Sequence, residues 1–89
     1  MAWTGMNVAL VEQVARELSR QSERINTLVG AVDSMVVSSQ EYWKGQDAAR
    51  FNSDWHADRS MLHALANSLS LLAKKASQQA ADQRRSSHA

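Results

Sequence analysis

The chain has 89 residues, 44% of them hydrophobic and 21% charged, with ten Lys and Arg against nine Asp and Glu and no cysteine. This is the composition of a single folded domain, and the balanced charge argues against a basic nucleic-acid-binding surface. The lack of cysteine excludes disulfides, thiolate catalysis and cysteine-ligated zinc, while a chain this short buries only roughly 60–65% of its unfolded surface and is expected to need a partner subunit.

Met1 to Leu10 has neither a basic n-region nor an apolar h-region, and no apolar run reaches the roughly 18 residues of a membrane span, so neither a conventional export signal nor a span is expected. The first helix is predicted over about 6–39. Val11, Leu18, Ile25 and Val32 recur every seventh residue, and Val14, Leu28 and Met35 follow members of that series by three. Gln21 is the polar member, Ala15, Val29 and Val36 widen the apolar face, and Gly30 points outward at a cost of about 1 kcal/mol relative to Ala. The rhythm stops between Ser38 and Gln46, where Ser38, Ser39 and Gly45 break it, and a turn is predicted over about 40–46. The second helix is predicted over about 47–76, with Ala48, Trp55, Leu62 and Leu69 as one heptad series and Phe51, Leu65 and Leu72 as the other. Asp58 falls on that second series and is expected either near solvent or paired with a basic side chain. Large apolar residues end before Ser77, so 77–89 is expected to be a flexible tail.

Two helices of about 30 residues are ~45 Å long, and a connection this short makes them antiparallel neighbours. The fold class is therefore all-α: an antiparallel helical hairpin. Each helix has an apolar face too broad for one neighbour to cover, so two hairpins are expected to close into a four-helix bundle. Its hairpin and dimer core is assigned to Val11, Val14, Leu18, Ile25, Leu28, Phe51, Trp55, Leu62, Leu65 and Leu69.

The most informative stretch is Tyr42-Trp43-Lys44-Gly45-Gln46-Asp47-Ala48-Ala49-Arg50-Phe51, followed by Trp55. A Trp in a turn is unusual, because its ring is most stabilising when buried and turns are normally exposed. Gly45 permits a positive φ where the second helix begins, and Asp47 is placed to favour that helix's N-terminus. This run resembles the signature of the WXG family of small type VII secretion proteins, in which Trp-x-Gly lies in a hairpin turn ahead of small residues, a Phe and often a Trp. The matching positions are Trp43, Gly45, Ala48, Ala49, Phe51 and Trp55, and the resemblance covers about residues 6–76. Trp3-Thr4-Gly5 repeats the three-residue pattern outside that context and is set aside as coincidence.

The resemblance implies signal-peptide-independent export of a folded dimer, formed with itself or with a related WXG-type protein, through the secretion ATPase of a type VII system in a bacterial cell. Trp43 and Gly45 would then belong to a recognition surface at one end of the bundle, and the protein would act outside the cell or at its surface. The family's C-terminal Tyr-x-x-x-Asp/Glu motif is absent: the single tyrosine is Tyr42, in the turn. That departure favours a partner that supplies the tail motif.

Other chemistry lacks its parts. There is no Gly-rich phosphate loop, metal-ligand cluster or nucleophile–base pair, so neither catalysis nor a cofactor is expected. His56 and His63 are seven apart, roughly 10 Å along a helix, too far to hold one ion directly. Lys74-Lys75 and Arg84-Arg85 read as a solvated face and tail rather than a lipid or nucleic-acid site. Two further readings compete: a cytosolic adaptor or chaperone hairpin for a larger secreted protein, and membrane disruption by the helices themselves, against which the net charge of +1 argues.

Overall fold

A computed structural model describes residues 6–88, which form two long helices, α1 (Val8–Ser39) and α2 (Gln46–His88). Trp3-Thr4-Gly5 lies outside the described residues. Asn7 starts α1: its side chain accepts from the Leu10 N–H at 3.2 Å and its carbonyl from the Val11 N–H at 3.0 Å, satisfying two donors that a helix N-terminus leaves free. At the other end the N–H groups of Gln40, Glu41 and Tyr42 donate to carbonyls three residues back, so the last turn tightens before the chain leaves the helix axis. Gly45 then takes φ +102°, a conformation costing residues with a Cβ of order 1–3 kcal/mol. Its carbonyl accepts from the Ala49 N–H at 3.1 Å to open α2, with Asp47 in the first turn, where the helix dipole favours an anion.

The helices run antiparallel. The Ser22 hydroxyl donates to the Ala66 carbonyl at 2.7 Å, the Trp55 indole to Asp33 at 2.8 Å, and Arg84 to Glu12 at 2.8 Å. The result is a rod of 66 × 16 × 14 Å with a radius of gyration of 19.9 Å, against about 13 Å for a compact chain of about 100 residues. None of its described helices is long and apolar enough to cross a membrane.

The contact between the helices is made by small side chains. Ala15, Ser22, Val29 and Val36 are buried at seven-residue spacing on α1, and Ala66, Ala73 and Ala80 at the same spacing on α2, with Ala48 near the turn. Among the described residues no large side chain is fully buried. Small residues bring the two backbones close, and the buried hydroxyl of Ser22 is satisfied by the carbonyl it meets. The seam thus centres on residues adjacent to the heptad series of Val, Ile and Leu assigned from sequence. Val11, Leu18, Ile25, Trp55, Leu62 and Leu69 flank it half-buried.

The second helix also continues past residue 76, where a tail was expected, to His88. Large apolar residues are not what extends it. Ala80 prolongs the alanine spacing and is 0% exposed, Arg84 reaches Glu12 on α1, and Arg85 pairs with Asp82 one turn back. Gln, Ala and Arg are good helix formers, so the segment needs only this light anchoring.

Candidate interaction face and inter-helix turn

Val14, Gln21, Leu28 and Met35 each precede a buried seam residue of α1 by one position, as Leu65 and Leu72 do on α2. In an antiparallel pair of right-handed helices both sets turn to the same side of the seam. The groove at the turn shows this directly, since Met35 and Phe51 line it together. One long side of the hairpin is therefore apolar and open: Val14 is 53% exposed, Leu28 56%, Phe51 44% and Leu65 48%. The residues assigned to a joint hairpin and dimer core divide between two environments. Val11, Leu18, Ile25, Trp55, Leu62 and Leu69 are half-buried against the other helix, and Val14, Leu28, Phe51 and Leu65 face outward. Asp58 is exposed on the same side, in a groove with Trp55, Met61, Leu62 and Leu65, and has no hydrogen-bond or ion-pair partner among the described residues.

At the turn Trp43 leans on Phe51, with ring centroids 5.2 Å apart and planes tilted by 48°, a favourable arrangement for two aromatic rings. Trp43 still leaves 39% of its surface in solvent, and Tyr42 leaves 79%. Both line a shallow apolar groove with Val32, Met35 and Phe51. The Trp43 N–H donates to the Ser39 carbonyl at 2.8 Å, so the ring's position is set by the end of α1, and the positive φ of Gly45 lets α2 return beneath it.

The opposite side of the hairpin is mainly polar, with Val37 exposed near the turn. Its most organised feature is a cluster around Asp33 that sequence reasoning missed. The carboxylate accepts from the Trp55 indole N–H and from Arg59 Nη1, at 2.9 Å to Oδ1 and 3.1 Å to Oδ2, while Arg59 Nη2 lies 2.7 Å from His56 Nδ1. Arginine only donates, so that histidine nitrogen is the acceptor and its proton resides on Nε2. Only the interhelical pairing brings Asp33 and Arg59 together, and no spacing along the chain signals it. Gly30 lies on this polar side in open space, where an added Cβ would meet nothing within 4 Å.

The hydrogen bond from Trp55 is the largest influence holding the Asp33 carboxyl below its ordinary value of 3.8; desolvation opposes it, and the hydrogen bonds and charge of Arg59 and the charge of His56 add to the lowering. A carboxyl whose folded pKa is depressed contributes stability above its unfolded pKa and loses it as pH falls through the folded value. The melting-temperature gap between the wild type and Asp33→Asn should therefore be widest near neutral pH and close as pH drops below 3.8. A gap constant from pH 7 to pH 2 would show that the cluster contributes no pH-dependent stability.

His56 and His63 lie on this side of α2, with His56 engaged by Arg59. Compared with protein-family models, with curated proteins and with solved structures, the chain matches none.

Proposed function

We propose that this is a WXG-type hairpin of a type VII secretion system: a small protein that pairs with itself or a related chain, is exported without a cleaved signal peptide, and acts through binding rather than catalysis. The observation that carries this reading is a division of labour in the structure. Small residues hold the two helices together, and Val14, Leu28, Met35, Phe51, Leu65 and Leu72 are left exposed along one side. Covering that face in a second hairpin buries the roughly half of each Leu or Phe that is still exposed, about 1 kcal/mol per side chain. Trp43 and Gly45, the residues matching the family's signature, sit in the connection at one end of the rod, with the indole partly exposed. They are the surface offered to the secretion ATPase.

Trp43→Ala should abolish appearance of the protein in the medium of cells carrying the secretion system, while leaving helicity and assembled mass unchanged. Normal export of the variant would remove the role assigned to Trp43. The cytosolic adaptor reading predicts instead that the protein stays in the cell pellet even when its partner is co-expressed and exported.

A further inference from the structure

Two segments carry the same local pattern, one on each helix. Ala15-Arg16-Glu17-Leu18-Ser19 on α1 and Ala73-Lys74-Lys75-Ala76-Ser77 on α2 each place a cation directly after a seam alanine and a serine three residues further on. The Ser22–Ala66 and Asp33–Trp55 contacts match each step along α1 to one step back along α2, so Ala15 stands level with Ala73. Both alanines are buried, and the two segments pass each other there in opposite directions. Arg16 and Lys74 each follow a seam residue by one position, so both emerge on the mainly polar side, about 3 Å apart along the axis.

The result is a groove floored by Ala15 and Ala73 and lined by Arg16, Ser19, Lys74 and Ser77. The neighbouring carboxylates are engaged elsewhere: Glu12 accepts from Arg84, and Glu17 accepts from Arg20 and Gln21. Glu23 closes the turn-side end of the groove, about 10 Å along α1 from Arg16. Arg16 and Lys74 themselves have no hydrogen-bond or ion-pair partner among the described residues. Two like charges therefore face each other across the seam with no carboxylate between them. We propose that this groove is an anion site and that its ligand carries a phosphate group, held between the Arg16 guanidinium and the Lys74 ammonium.

The charge and the donors fit that group. A phosphate monoester carries about −1.5 to −2 charges at neutral pH and three acceptor oxygens, which suits two cations flanked by two hydroxyls. A carboxylate would balance only one of the cations. Arg16 offers paired donors in a planar fork, and Lys74 adds a point charge. Along the chain Lys74 reads as half of a lysine pair, but consecutive helix positions point about 100° apart. Lys75 accordingly lies on another surface, with Ser68, Leu71 and Leu72. The groove opens away from the exposed Leu28, Phe51 and Leu65, so it stays accessible when that face is covered, and the site does not depend on the secretion reading.

The test titrates the full chain with inorganic phosphate and follows amide chemical shifts, with ionic strength held constant by chloride. Shifts should saturate and be largest at Arg16, Ser19, Lys74 and Ser77, and affinity should fall as pH is lowered through about 6, where the second phosphate proton is taken up. Arg16→Gln and Lys74→Gln should each weaken binding by about tenfold or more, the loss of one charge-assisted contact. Lys75→Gln removes the same charge from the other surface and should change it by less than about twofold. Circular dichroism checks that each variant keeps its helicity. A parallel sedimentation with phosphatidic acid vesicles separates the sources of the group. Saturation by inorganic phosphate without vesicle binding assigns a free phosphate or small phosphate ester, and vesicle binding that is lost in Arg16→Gln and Lys74→Gln assigns a lipid headgroup. Unsaturable shifts spread over every basic residue, an equal loss in Lys75→Gln, or no response to either probe would overturn the site.

Discussion

Ala66→Leu is expected to destabilise the hairpin by about 2–6 kcal/mol, a large fraction of the stability of a chain this size. Ala66 is 1% exposed in the seam between the helices, directly against Ser22. Three added carbons have no cavity to enter there, and overpacking of a tight core typically costs about 1–3 kcal/mol. Pushing the helices apart also strips the Ser22 hydroxyl of the Ala66 carbonyl, and a buried unsatisfied hydroxyl adds about 1–3 kcal/mol. Total stability of a chain of this length is on the order of 5–10 kcal/mol. Thermal melts followed by circular dichroism measure the effect, with Ser22→Ala as the milder control at about 1 kcal/mol. An unchanged melting temperature in Ala66→Leu would mean that the helices do not approach through this seam.

The neighbouring substitution Leu65→Asp should give the opposite pattern. Leu65 is 48% exposed in the hairpin, so an aspartate there reaches water and costs the isolated hairpin about 1–2 kcal/mol, from the lost half-burial of the leucine and the difference in helix propensity. In the proposed dimer the same carboxylate is buried among apolar side chains, at a cost of several kcal/mol. A penalty of 3–4 kcal/mol raises the dissociation constant by about 10²–10³-fold. Light scattering over a range of concentrations should therefore show a helical monomer where the wild type is a dimer. Full assembly by the Leu65→Asp chain would show that this face is not the interface. Two adjacent residues thus separate the stability of the hairpin from that of the assembly, because consecutive positions on a helix point about 100° apart.

The amino-acid sequence by itself determined the helical class, the two long segments and the place of the connection. The seven-residue recurrence of Val11, Leu18, Ile25 and Val32, the absence of proline and the break at Ser38–Gly45 are local signals, and helices form from local signals. The sequence also marked Gly45, whose φ of +102° meets the need read from its position. What only the tertiary structure decided was which stripe of each helix closes the hairpin. Large residues dominate any reading by periodicity. Yet Ala15, Ser22, Ala66, Ala73 and Ala80 hold the contact, because two backbones approach most closely where side chains are small, and Leu28 and Leu65 are left outside. The same approach extends α2 through Ala80 to His88 and joins Asp33 to Arg59 and Glu12 to Arg84. Each of these depends on how the second helix is placed against the first, a relation that no spacing within one helix contains.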